Sequence, residues 1–284
     1  MSTVKVGDVI GEDITIGVLN GKYCAIKTKP STDEQARNEL MQFQMVDNEH
    51  SNIVRMLHDV TEKGKIRMFL EFAPIGSLYK YANVRPLDDQ SISGIFRQLK
   101  SGLQFLYSTK CILHCDIKPD NILVFDSGTT FKFADFDLSK FMAITEALKY
   151  GYELRELRGA ALYMAPELFS SNRPRSTASC DIWSLGATLV FCMLGQHFFR
   201  GQSIEEIKLA VCAWRGFSAA EGRSLEQKYS NSFPIVSRML DVEPSYRHHI
   251  TQLHTLVLFS YCPVHNFTDN TFQTIFYLVA ILKH

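Results

Sequence analysis

"LHCDIKPDNIL", residues 113–123, decides how the rest of the chain is read. A short apolar lead delivers Asp116, Lys118 and Asn121 into one turn, and the apolar run "NILVF" follows at once. Asp116 suits accepting a proton from an attacking hydroxyl. Lys118 suits neutralising a transferring phosphoryl group, and the Asn121 amide oxygen suits ligation of Mg²⁺. Taken alone, the stretch is equally a polar turn in which Asp and Asn hold the backbone.

The balance shifts at "FADFDLSK", residues 133–140. Asp135 ends a strand that runs back from the Asn121 loop through the turn Asp126-Ser127-Gly128, so hairpin geometry returns Asp135 beside Asn121. A carboxylate and an amide oxygen brought together in this way suit Mg²⁺ bridging phosphates. Asp135 as a mere strand-end turn residue is a credible reading singly and a poor one jointly.

Upstream, "GEDITIGVLNGKYCAIK" (residues 11–27) reads as strand–turn–strand about Asn20-Gly21, a pair that tolerates positive φ. Its end carries Lys27, an ammonium placed to meet phosphates, yet only Gly11 stands where a glycine-rich turn over those phosphates is expected. "STDEQARNELMQFQMV" (31–46) is helical, with Ser31 or Thr32 as cap and Glu34 or Gln35 closing a capping box. Ala36, Leu40 and Phe43 form its buried stripe, with Glu39 at the edge. "NIVRMLHDV" and "KIRMFLEF" make a further strand pair around Glu62–Lys65. Beyond the turn-rich "APIGSL", helical periodicity dominates, and Ile92, Ile95, Phe96, Leu99, Leu103 and Leu106 mark one face of a long helix. Leu138 to Leu162 reads as irregular.

Bulk properties exclude several function classes. Thirty basic and thirty acidic residues leave no net charge, so neither nucleic acid nor an acidic membrane surface is an expected partner. Seven scattered cysteines without a C-x-x-C pair point to reduced thiols and a cytoplasmic setting, with a nuclear one left open. The N-terminal residues show no charged-then-apolar leader, so the N-x-T at Asn266 reads as chance. "IWSLGATLVFCML" (Ile182 to Leu194) is too short to span a bilayer and reads as a buried helix. "TIFYLVAIL" (274–282) reads first as core packing, with a partner-binding segment or weak membrane contact as alternatives. The group His248, His249, His254, Cys262 and His265 fits no zinc spacing.

With these stretches in this order, the chain resembles the eukaryotic protein kinases over residues 4–260. "YCAIK" resembles the strand-lysine motif, "LEFAPIGSL" the hinge, "HCDIKPDN" the catalytic loop and "DFD" the metal motif. "YMAPE" resembles the end of the activation segment, and "DIWSLG" the start of a buried core helix. The resemblance implies an α+β, two-lobed fold: a small antiparallel β lobe with one main helix over 4–72, a hinge at 71–76 and a larger, mainly helical lobe over 77–260. Residues 261–284 then form an apolar tail open to a regulatory protein partner.

The resemblance also implies ATP and Mg²⁺, a protein substrate and roles for particular residues. Lys27 would anchor phosphates and Glu39 would hold Lys27; Gly11 would be the remnant of the nucleotide-covering turn. Backbone groups of Glu71 and Ala73 would meet adenine behind Leu70. Asp116 would be the base, Lys118 would steady the transferred group, and Asn121 and Asp135 would hold Mg²⁺. Arg247 would pair with Glu167, and Lys118 in "DIKPDN" resembles the serine/threonine branch.

Four positions depart from the family pattern. About four glycine-loop residues are missing before "DITIGVL", which implies weaker ATP binding unless that hairpin never held phosphate. Cys115 stands where an arginine usually docks a phosphorylated activation segment. Asp137 replaces a glycine, implying backbone cost and restricted switching. Ala160 replaces a threonine that supports the catalytic aspartate and lysine. An active serine/threonine kinase is the first expectation and a pseudokinase scaffold the second. A small-molecule phosphotransferase, suggested by the D-x-D look of "DFD", is a distant third.

Overall fold

Asn20 and Gly21 take left-handed backbone, φ 51° and 75°, and the two-residue turn they form lays Leu19 opposite Lys22. That hairpin is the middle of a five-stranded antiparallel sheet in a computed structural model of the chain. Strands β1 (Val9–Gly11), β2 (Ile14–Leu19), β3 (Lys22–Pro30), β4 (Met56–Glu62) and β5 (Lys65–Glu71) stand in the order β1-β2-β3-β5-β4. The structure describes residues 6–142, 160–170 and 174–247, together with the backbone of 152–153. The histidine group at 248–265, the apolar run 274–282 and both outer ends of the 4–260 domain lie outside these residues.

Helix α1 (Glu34–Val46) packs on this sheet. Its cap is Asp33 rather than Ser31 or Thr32: the Asp33 carboxylate accepts the N–H groups of Gln35 at 2.8 Å and Ala36 at 3.3 Å. Ser31 is already committed, its N–H to the Gly64 carbonyl and its own carbonyl to Arg37. The buried face runs through Ala36, Glu39, Gln42, Phe43 and Val46, with Leu40 only half-buried. Glu39 is therefore not at the edge of the stripe; it is 1 % exposed.

After β6 (Gly76–Ser77) and α2 (Leu78–Ala82), helix α3 (Asp89–Gln104) starts on the Asp88 side chain and continues into one π-helical turn. Ile92, Ile95, Phe96, Leu99, Leu103 and Leu106 are all buried, as their period predicts. The short strands β7 (Ile112–Leu113), β8 (Ile122–Phe125), β9 (Thr130–Phe133) and β10 (Lys140–Phe141) frame the motif-bearing loops. β6, β8 and β9 form one sheet, and β7 pairs with β10, so the stretch after Leu138 is less irregular than expected. The apolar helix expected from Ile182 begins at Ala178 and runs to Leu194, buried nearly all round and ended by Gly195 at φ 67°. Among the described residues no helix is long and apolar enough to cross a membrane.

Two apolar clusters result, one within the large lobe and one in which Leu106, Ile112, Phe125, Ala134 and Phe136 of the large lobe pack with the small lobe. Asn52 joins the two lobes. Its carbonyl accepts the Phe133 N–H at 2.9 Å, and its side-chain amide donates to the Phe131 carbonyl at 2.9 Å and to Gln98 Oε1 at 3.0 Å. Gly102 makes this close approach possible, because a Cβ there would lie 3.2 Å from the Asn52 carbonyl oxygen and 3.1 Å from the Phe133 ring. Replacing Asn52 with Ala leaves a buried carbonyl unpaired. The expected cost is about 2 kcal/mol, or roughly 4–8 °C of melting temperature in a domain of this size. Thermal unfolding measures it, and an unchanged melting temperature contradicts this view of the joint.

Candidate active site

Strand β3 carries Lys27 at a register position opposite Ile14 and Met68, and period-two alternation turns its side chain under the sheet, where it is 7 % exposed. Helix α1 supplies Glu39, whose Oε2 lies 2.7 Å from the Lys27 Nζ. The end of β9 supplies Asp135, at 2.9 Å, in left-handed backbone with φ 65°. A third carboxylate, Asp137, lies 3.1 Å from the same nitrogen. Burial pulls the Lys27 ammonium down, yet Glu39, Asp135 and Asp137 together hold it above the ordinary lysine value. Burial lifts the Glu39 carboxyl well above the usual carboxylate range against the pull of Lys27, and crowding by Asp137 and Asp135 adds to the lift. Both directions hold together because three carboxylates share one ammonium.

The turn after β7 gathers the second group. Lys118 Nζ lies 2.7 Å from Asp116 Oδ2. The Asn121 amide nitrogen donates to the same Oδ2 at 2.8 Å and to the Asp116 carbonyl at 2.9 Å. With its nitrogen committed to Asp116, the Asn121 Oδ1 is the atom left to face a cation. The two groups are stitched together where the Ala134 N–H donates to the Asn121 carbonyl at 2.9 Å, beside Asp135. Ala160 offers no hydroxyl, but its backbone N–H lies 3.4 Å from Asp116 Oδ1.

Cys115 takes left-handed backbone, φ 64°, with its thiol 3.3 Å from the Ser176 hydroxyl. Burial pushes that thiol well above its usual range, so the position provides neither a cation nor a reactive thiolate. The turn itself hangs from Asp181 at the start of the buried helix, whose carboxylate accepts the N–H groups of His114 at 2.8 Å and Cys115 at 2.9 Å. Burial pushes the Asp181 carboxyl up to about 7 against those two bonds. Below, Arg247 meets Glu167 through both terminal nitrogens, at 2.6 and 2.8 Å, as the family resemblance implies.

The segment around Asp137 corrects one expectation. Asp137 is not in left-handed backbone, so no glycine-specific conformation is being forced on it. Ser139 is fully buried and its hydroxyl donates to the His114 carbonyl at 3.0 Å. The Phe136 ring meets Phe43 of α1 edge-on, with centroids 5.1 Å apart. The Asn38 amide, one residue before Glu39, donates to the carbonyls of Phe136 at 3.2 Å, Asp137 at 3.1 Å and Ser139 at 2.9 Å.

At the outer edge, Leu70 is buried and Glu71 is tied by its side chain to the Arg55 N–H at 2.9 Å and to Lys132 at 2.7 Å. The Ala73 carbonyl accepts the Gly76 N–H at 3.1 Å, which closes the turn linking the lobes. Gly11 pairs directly with Ile14, leaving only Glu12 and Asp13 between β1 and β2. Lys29 and the Thr28 N–H hold Asp13, at 2.6 and 2.9 Å. The shortened turn is thus packed down on β3.

Sequence reading missed Asn38, the side-chain role of Asp137 and the Asp181 carboxylate. The available signal for Asn38 was a pair of polar residues, Asn38 and Gln42, flanking Glu39 on a helix face otherwise apolar.

The family description "Protein kinase domain" matches residues 17–259. Among curated relatives, the human "Serine/threonine-protein kinase Nek5" is 27 % identical over 84 % of this chain and 33 % of its own length. The rat "Serine/threonine-protein kinase ULK3" is 30 % identical over 70 % of this chain and 40 % of its own. The Arabidopsis thaliana "Mitogen-activated protein kinase kinase 2" is 30 % identical over 67 % and 52 % respectively. The chain thus spans about a third to a half of the length of these relatives.

Asn38→Ala is expected to lower folding stability by about 1–2 kcal/mol through loss of its carbonyl contacts. Asn38→Asp should cost more, because a carboxylate would face those carbonyl oxygens. Denaturant unfolding of the two variants checks this, and equal stability of both with the parent contradicts it.

Proposed function

From the premise that the chain belongs to the eukaryotic protein kinase family, serine/threonine type, we propose that it transfers the γ-phosphoryl group of ATP to a serine or threonine hydroxyl of a protein substrate. One observation carries this reading: Lys118 and Asn121 converge on the single carboxylate of Asp116, immediately beside the strand end that presents Asp135 to Lys27. Bland structural turns have no reason to assemble a base, two cations and two hard oxygen donors in one cleft.

In this reading Asp116 orients the substrate hydroxyl and accepts its proton as the oxygen bonds to phosphorus. The bond from phosphorus to the bridging oxygen breaks, and its electron pair leaves on the terminal phosphate of ADP. Lys118, already 2.7 Å from Asp116, is placed to neutralise the transferring group. Lys27, held by Glu39, orients the nearer phosphates, and the backbone of Glu71 and Ala73 meets adenine. Gly11 retains at most an edge contact. The donor set fits Mg²⁺, since the Asp135 carboxylate and the Asn121 Oδ1 are both hard oxygens. When bound, that ion would neutralise phosphate charge.

A second reading, a pseudokinase serving as an interaction scaffold, is favoured by one feature. The β1–β2 turn of Glu12 and Asp13 offers no row of backbone N–H groups to cover phosphates. Weakened nucleotide affinity is proposed on the same ground. A protein substrate, a regulatory partner for residues 261–284 and a cytoplasmic or nuclear setting complete the proposal.

Purified protein with MgATP and a generic protein acceptor should show phosphate transfer that Asp116→Asn reduces by roughly 10²–10⁴-fold. Nucleotide binding without Asp116-dependent transfer favours the scaffold reading instead. Because Cys115 provides no cation for a docked phosphate, prior phosphatase treatment should leave transfer within about two-fold of the untreated rate. A collapse after phosphatase contradicts that expectation.

A further inference from the structure

Lys27 faces more negative charge than its pairing with Glu39 requires. Glu39, 1 % exposed, covers the ammonium from inside at 2.7 Å. Asp135 and Asp137 approach from the open side, at 2.9 and 3.1 Å, with side chains 34 % and 22 % exposed. Even with the buried Glu39 left out of the count, one ammonium faces two exposed carboxylates, a formal charge of minus one (+1 − 2). An incoming polyphosphate therefore meets a lysine that is already over-compensated.

Asp137 is the avoidable part of that surplus. It occupies the position where the resemblance expects glycine, which has no side chain to place there. Its backbone is ordinary, so nothing in the chain's path demands either residue. Its backbone is nevertheless anchored: the Asn38 amide donates to the Asp137 carbonyl at 3.1 Å and to the carbonyls of Phe136 and Ser139 on either side. The anchor comes from helix α1, the element that also supplies Glu39, and from that backbone the carboxylate reaches Lys27 at 3.1 Å.

We propose that Asp137 is a built-in counter-ion for Lys27, competing with nucleotide phosphates for the ammonium and thereby setting nucleotide affinity. The inference rests on the reading above only in taking Lys27 as the phosphate-binding group. It joins two features of the cleft, since a chain with little backbone cover for phosphates also keeps an internal anion at the lysine. On release from Lys27 the Asp137 carboxylate would turn to solvent, through the exposed fraction it already has.

The test is titration of the full chain with inorganic tripolyphosphate in EDTA, by calorimetry, for the parent, Asp137→Asn and Asp137→Gly. Binding is counted where Lys27→Met removes it. Removing one charge at this distance should tighten binding by roughly 3- to 30-fold in both Asp137 variants, and the gain should shrink with added salt. Unchanged or weaker binding in the variants overturns the inference, as does absence of binding by every form. The same holds if Asp137→Asn weakens MgATP while leaving metal-free binding unchanged, which would make Asp137 a metal ligand. Two variants guard against one failing to fold. Phosphate transfer is not the readout: a chain whose variants gain tripolyphosphate affinity yet transfer nothing upholds this inference and sinks the transfer reading. A chain that transfers phosphate with unchanged tripolyphosphate affinity does the reverse.

Discussion

The contact between Lys27 and Glu39 is the constraint on which the rest of the cleft depends. A lysine 7 % exposed and a glutamate 1 % exposed cannot be left singly in such a place. Removing one partner of a buried ion pair costs on the order of 3–5 kcal/mol. The pair therefore fixes how α1 sits on the sheet. Because Asn38 precedes Glu39, it also fixes where the helix holds the segment running from Asp135 to Ser139. Phe136, packed edge-on against Phe43, adds an apolar restraint in the same direction. Strand, helix and the segment from Asp135 to Ser139 thus form one unit, with Lys27 at its centre.

The other half of the cleft is suspended from the large-lobe core. Asp181 stands at the first turn of a helix buried nearly all round and holds the backbone of His114 and Cys115. The turn that follows has its conformation set before any substrate arrives. Asp116 and Asn121 then need only short side chains to meet. The bidentate Arg247–Glu167 pair ties the residues after Ala160 to the same scaffold. Rigid support of this kind limits the reorganisation that reaction would otherwise require.

Much of this was legible in the sequence because it is local. Asn20-Gly21 fixes a hairpin by its φ tolerance, the Ile92-to-Leu106 stripe fixes a helix by its period, and "HCDIKPDN" brings its polar groups into one turn whose roles only the family resemblance suggests. Three things were not legible. The cap moved from Ser31 or Thr32 to Asp33 because Ser31 was claimed by a strand-end contact with Gly64, distant in sequence. The expected backbone cost of Asp137 did not arise, and its side chain found Lys27 instead, across 110 residues of chain. Asn38 reads as an ordinary helix-surface amide until the segment it grips is folded beneath it. In each case the deciding partner is non-local, which neither propensity nor spacing encodes.

The central claim is that Lys27, despite three competing carboxylates, is where nucleotide phosphates dock. Phosphorus-31 magnetic resonance of MgATP with the parent protein and with Lys27→Met tests it most directly. Shifted and broadened phosphate resonances are expected with the parent and free-nucleotide resonances with the variant. Equal perturbation by both proteins would contradict it.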